Sequence, residues 1–260
     1  MTGYIEPMVG RYIHVEIDRE MHRIYFEESG AGIPLVCLHT AGSDGRQWRH
    51  LLADEEFTKT FRIIAFDLPW HSKSNPPPSW TGEEYRLTTA RYTATVRAFC
   101  KALALEKPIV MGCSIGGRIV LNLAIDHAAE FRALIGLEAA DFQAPWYDTN
   151  WLHRPDVHGG EVCAALVSGL IAPQSPESSR RETLWAYMQG GPGVFKAICI
   201  STGSMATCAG GLTRSIQASV RFICSPANMI FPARRKTRCG RLPRSAVPLS
   251  PSWNGSAIFR

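Results

Sequence analysis

Residues 110–124, VMGCSIGGRIVLNLA, constrain the fold of this chain more than any other stretch. An apolar run ends at Cys113, a serine stands between Gly112 and Gly116, and apolar residues at helical spacing follow at once. That order reads as strand, sharp corner, helix. A serine on such a corner presses the residues two before and two after it against adjacent backbone, so only positions with little or no side chain fit there. The corner also brings the hydroxyl to the N-terminus of the next helix, where N–H groups and the helix dipole favour an anionic intermediate. Gly112-Cys113-Ser114-Ile115-Gly116 therefore matches the G-x-S-x-G pattern of an exposed nucleophile, with Ser114 as the attacking group. The competing reading is a glycine-rich turn with an idle serine.

The surrounding pattern supplies the context that motif requires. RYIHVEID (11–18) and HRIYFEESG (22–30) read as an opening hairpin with its turn near Met21-His22. PLVCLHT (34–40), FRIIAFDLP (61–69), KPIVMGCS (107–114) and RALIGLEAAD (132–141) are short apolar runs suited to buried parallel strands. Helical spacing of Tyr92, Val96, Phe99 and Leu103 fills one gap, and a helix over about 115–130 fills the next. Parallel strands need long crossovers, so this order predicts an α/β chain: a mostly parallel sheet with helices on both faces. From Phe142 to Phe195 the pattern turns helical and aromatic, as a lid inserted over the sheet, with Ser175 as a helix cap and Pro176 in the first helical position.

Composition matters most through its asymmetry. From Thr183 to Arg260 there are ten Lys or Arg and no Asp, Glu or His, so all 23 acids of this +5 chain fall in its first 182 residues. A globular domain carries charged residues of both signs at about one in four positions, and 78 residues without a carboxylate depart from that. The predicted organisation is a core over 1–141, a helical lid over 142–195, and a basic Pro/Arg/Ser-rich tail over 196–260, disordered or poorly packed, with the C-terminal strands missing. The eight cysteines show no paired metal-ligand spacing and most lie in apolar segments, which favours neither zinc nor a disulfide framework. No apolar run nears the roughly 20 residues of a membrane span, and the first residues lack a signal-peptide pattern, so the expectation is a soluble cytoplasmic protein with no membrane partner.

Three features together resemble the α/β-hydrolase family, in its branch with a lid after the sixth strand: the elbow, His39 with Trp48 downstream in LHTAGSDGRQW (38–48), and DLPWHSKS (67–74). The resemblance covers about residues 10 to 195. It implies that the backbone N–H groups of Ala41 and Ile115 form an oxyanion hole, that His39 orders the oxyanion loop, and that Cys113 is a packing residue. It implies hydrolysis of an ester, lactone or activated carbon–carbon bond in a small-molecule substrate, with no cofactor, no metal and no nucleic acid. The lid aromatics Trp146, Tyr147, Trp151, Trp185 and Tyr187 suggest an apolar or aromatic substrate. Thr40, Trp70 and Ser72 stand where the family usually has glycine.

A serine nucleophile needs a histidine base and a carboxylate to orient it, in the chain order Ser, Asp, His. Here the last histidine is His158 and the last carboxylate is Glu182. His127 falls at a helix end, His153 and His158 in the lid, and Asp141 at an acid position some members use. The family's late acid and base loops are absent. A shifted reading frame accounts for this. Reread with the third base of one codon joined to two of the next, Met229-Ile230 must give Asp. With permitted codons the flanking CSPANMIFP rereads as Leu-Thr-Gly-Glu-Tyr-Asp-Phe-Ser, and GSAIFR as Leu-Gly-His-Phe-Pro, the order of an acid turn and a base loop. The expectation is an out-of-frame tail from about residue 197 and impaired turnover. The alternatives are a non-catalytic protein that binds ligand in the lid cleft, or a basic tail with Arg234, Arg235, Arg238, Arg241 and Arg244 that binds an acidic partner.

Overall fold

The computed structural model describes residues 3–139, 148–153, 159–204 and 222–225. Strands β1 (Val9–Ile17) and β2 (Glu20–Ser29) form the opening hairpin. Its turn is Asp18-Arg19, three residues before the expected place. Both residues are left-handed, with φ of 52° and 67°, and two such residues give the turn whose twist matches that of paired strands. The sheet continues through β3 (Ile33–Leu38), β4 (Phe61–Phe66), β5 (Ile109–Cys113) and β6 (Ala133–Leu137).

Short helices α1 (Arg49–Leu52) and α2 (Glu55–Thr58) link β3 to β4, α3 (Thr89–Ala102) links β4 to β5, and α4 (Ile115–Asp126) follows the elbow. A last strand, β7 (Phe222–Ser225), completes the order β1-β2-β4-β3-β5-β6-β7. The first two strand pairings in this order are antiparallel and the remaining four are parallel. Alternate residues of one strand face opposite sides. Val36, Leu38, Ile64, Phe66 and Val110 pack on α3 and α4, whereas Leu35, Cys37, Ile63, Ala65 and Met111 pack with Trp48 and Leu52 on the other face. Helices on both faces of a mostly parallel sheet give the expected α/β class.

The segment expected to form a lid holds α5 (Gly159–Ser168) and α6 (Glu177–Tyr187), and α7 (Val194–Ser204) begins at its end. Ser175 does not cap α6. Pro176, with ψ of 141°, is itself the boundary residue, and its carbonyl accepts the first helical bond from Arg180 at 3.0 Å. α7 crosses the predicted boundary at 196, with Ala197, Ile198 and Cys199 buried. Within the tail expected to be disordered or poorly packed and to lack strands, β7 pairs parallel with β6, Leu134 opposite Phe222 through Leu137 opposite Ser225. Asp141, His158, Trp146, Tyr147 and the five arginines of the basic cluster lie outside the described residues.

Candidate active site

The position of the site follows from the strand order. After β3 the chain moves to β4 on one side, and α3 then carries it back across to β5 on the other. A sheet of this kind opens a crevice where the crossovers diverge, outside the carboxyl ends of the two strands concerned. The loop after β3 carries Ala41, the corner after β5 carries Ser114, and the two strands are in register with Leu38 opposite Gly112.

Ser114 has φ of 54° and ψ of −111°, a conformation that L-residues rarely adopt and that costs on the order of 1–3 kcal/mol. It is the exposed residue in an otherwise buried run from 110 to 121. Its N–H donates to the Leu137 carbonyl at 2.9 Å, and its own carbonyl accepts from Arg118 at 2.9 Å. The flanking glycines are required sterically. A Cβ on Gly112 would stand 2.3 Å from the carbonyl of Gly116, and one on Gly116 would stand 2.8 Å from the Leu38 backbone. Ile115 opens α4, so its N–H lacks an acceptor within the helix.

The loop after β3 is held from several sides. His39 is fully buried; its Nε2 accepts from the Leu68 N–H at 3.1 Å and its Nδ1 lies 2.8 Å from the Thr40 carbonyl. Both ring nitrogens are spent on backbone, and burial holds the ring in its neutral form. Thr40 donates its N–H to Gln47 Oε1 and its hydroxyl pairs with that of Tyr187, both at 2.8 Å. Tyr187 and Phe195 lean over Gly42, where an added Cβ would come within 2.8 Å of Phe195. Asp67 accepts from Gly45 N–H at 2.8 Å and from Lys73 N–H at 3.1 Å, tying this loop to the one after β4. Burial, with Asp44 beside it, pushes the Asp67 carboxyl up to about 7. Trp70 and Ser72, standing in place of glycines, keep positive φ of 74° and 44°. The loop retains a glycine-like backbone.

That arrangement decides the fold's identity. The chain has the α/β-hydrolase fold. Residues 33–155 match the family model described as the alpha/beta hydrolase fold. Over 158 residues it is 30% identical to a 2-hydroxymuconate semialdehyde hydrolase of Pseudomonas sp. (strain CF600), covering 57% of this chain and 51% of that one. The chain spans about half the length of the curated relatives it matches. Among solved structures it resembles a thermophilic esterase from Thermogutta terrifontis, at TM-score 0.66 and 15% identity over 83% of this chain and 90% of that one. An enol-lactonase from Burkholderia xenovorans LB400 aligns at TM-score 0.65 and 15% identity, over 83% and 92%. At 15% identity these two likenesses are ones of fold.

The described residues do not supply a full Ser-His-acid set. Among the described residues no hydrogen bond reaches the Ser114 hydroxyl. His127 pairs with Glu130 at the far end of α4, His50 with Glu182, and His71 lies buried against His39 with its Nδ1 on the Pro69 carbonyl. His153 lies beside Gly193, its ring 3.6 Å from where a Cβ would stand there. The carboxylate that does reach the elbow is Glu138, which the motif reading missed. It follows β6 directly, with φ of 50°, and its Oε2 lies 3.8 Å from Cys113 Sγ. Burial raises both groups, so the thiol stays protonated and serves as the donor of that contact. The signal was present: β6 neighbours β5, so the residue after β6 lies beside the elbow. Among the described residues no group of three or more His, Cys, Asp or Glu is placed to hold a metal ion, and no helix is long and apolar enough to cross a membrane.

Proposed function

We propose that this chain is built as a serine hydrolase for a small apolar or aromatic carbonyl compound: an ester, a lactone, or a substrate with an activated carbon–carbon bond. Ser114 attacks the carbonyl carbon, the N–H groups of Ala41 and Ile115 hold the oxyanion, and water releases the acyl group from the serine. One observation carries this reading. Ser114 is lifted out of a buried run by a strained corner that two crowded glycines enforce. Support for the substrate range comes from relatives named for 2-hydroxymuconate semialdehyde and for enol-lactones, and from Tyr187 and Phe195 beside the oxyanion loop.

Turnover of the chain as written is low in this reading, because no described histidine is hydrogen-bonded to Ser114. Binding and the oxyanion hole alone still leave about 10³- to 10⁴-fold over water. The missing base is assigned to the shifted frame. In that frame the codons across 221–225 also permit an apolar strand, so β7 is compatible with either frame. A fluorophosphonate probe should label the wild type slowly and Ser114→Ala not at all. Ligand-induced stabilisation without labelling would favour a binding protein instead. Resequencing the coding DNA across codons 185–260, followed by expression of the reread chain, should restore ester or lactone turnover. An interrupted frame would return the search for a base to the lid histidines.

A further inference from the structure

Ala41, whose N–H is proposed above to hold the oxyanion, lies between two residues that are both touched by one side chain from a distant helix. Tyr187, the last residue of α6, shares a hydroxyl pair at 2.8 Å with Thr40 on one side of Ala41. Its ring edge lies against Gly42 on the other side, where an added Cβ would stand 3.2 Å from Tyr187 Cδ1 and Cε1. Gly42 has φ of 70°, so the chain turns where that ring presses on it. Burial raises the Tyr187 phenol above its ordinary value, and the hydroxyl stays protonated.

The backbone around Ala41 shows why such a hold matters. Thr40 donates its N–H to Gln47 Oε1 at 2.8 Å, and its carbonyl accepts from His39 Nδ1 at 2.8 Å and from Ser43 N–H at 3.3 Å. A trans peptide points its N–H opposite to its carbonyl, so these bonds turn the Ala41 N–H away from His39. Among the described residues that N–H has no acceptor. The Gln47, His39 and Ser43 contacts come from within seven residues of Thr40 and move with the loop. The Tyr187 contact comes from 147 residues away, on a helix with anchors of its own: Glu182 pairs with Arg49 and with His50 Nε2 at 2.9 Å, and Gln189 accepts from Arg46 at 2.6 Å.

We propose that Tyr187 is a positioning residue for the oxyanion hole. By fixing Thr40 through its hydroxyl and Gly42 through its ring, it keeps the Thr40–Ala41 peptide from rocking, so that the Ala41 N–H is set before charge develops on the substrate oxygen. This rests on the reading of Ser114 and Ala41 given above, and adds that α6 must be docked for the donor to be in place. Oxyanion donors act because they need no reorientation during the reaction, and losing a whole donor costs about 10²- to 10³-fold. Losing one bond that steadies a donor costs less, about two- to tenfold, the worth of a single hydrogen bond.

The test follows Ser114 labelling of the full chain over a range of fluorophosphonate concentrations, below the unfolding temperature of each variant, so that the limiting rate and the half-saturating concentration are read separately. Tyr187→Phe and Thr40→Val each remove one hydroxyl and keep the side chain's shape, so each should lower the limiting rate about two- to tenfold with half-saturation unchanged. The double variant should lose no more than either single one, because both remove the same bond. Thr40→Ser, which restores the hydroxyl, should recover the rate lost in Thr40→Val. A bond that served stability alone would lower the unfolding temperature and leave the limiting rate of the folded protein where it was. Unchanged limiting rates in both single variants, losses that add in the double one, or a Thr40→Ser rate as low as that of Thr40→Val would overturn the proposal and leave Ser114 as the nucleophile. A wild-type chain that the probe does not label would overturn that reading and this proposal with it.

Discussion

At Gly112 a Cβ would stand 2.3 Å from the carbonyl carbon and oxygen of Gly116, both backbone atoms that cannot rotate away. Gly112→Ala should therefore cost about 3 kcal/mol or more in chemical denaturation, at the upper end of single substitutions, and should abolish Ser114 labelling. Ser114 gives the opposite sign. Its φ of 54° with ψ of −111° is a conformation glycine adopts without penalty, so Ser114→Gly should raise stability by about 1 kcal/mol while removing all labelling. A Ser114→Gly protein less stable than wild type would show that the corner is not strained. The same residue-scale argument separates Ser114 from Cys113: the hydroxyl is exposed, whereas the thiol is buried and held protonated. Adjacent positions in sequence thus carry opposite roles because the chain turns between them.

The elements meet through a few bonds that cross long sequence distances. Helix α6 reaches the loop after β3 through the Tyr187–Thr40 hydroxyl pair at 2.8 Å, formed between residues 147 apart. Tyr187→Phe keeps the packing on Phe195 and removes this bond, so it should cost about 1 kcal/mol. Hydrogen exchange should quicken along α6 while β3 and β5 stay protected; uniform loss of protection would mean that the lid and sheet unfold as one unit. Thr40 stands where the family usually has glycine, and its side chain is what supplies the lid contact. The connection after β4 shows a similar substitution, since Trp70 packs against the core while keeping a positive φ of 74°.

For the whole molecule, stability against pH follows from two kinds of buried group. Asp67 is raised to about 7, so between roughly pH 4 and 7 the folded state holds its proton more tightly than the unfolded state, and stability falls as pH rises through that window. His71, lowered to about 3 chiefly by burial, and His39, lowered by burial, act oppositely: the unfolded chain takes up their protons below about 6.5, so stability falls as pH falls. Asp67 and His71 each contribute a slope of about 1.4 kcal/mol per pH unit between their folded and unfolded values, so Asp67 offsets His71 where the two windows overlap. Asp67→Asn should steepen the loss of stability between pH 6.5 and 4.5 by about that slope in urea titrations, and an unchanged slope would show that Asp67 ionises normally.

The order of elements, the elbow at Ser114 and the loop at Ala41 were legible in the sequence because each is local: apolar runs of strand length, helical spacing, and glycines at fixed offsets from a serine. The turn at Asp18-Arg19 shifted by three residues and the boundary at Pro176 by one, since backbone dihedrals settle such ends and composition does not. Glu138 beside Cys113, Tyr187 on Thr40, and Asp67 between two loops were decided only by tertiary structure. Each depends on which strands become neighbours and how far the lid folds back, and these are settled by burial of the whole core, not by any local pattern.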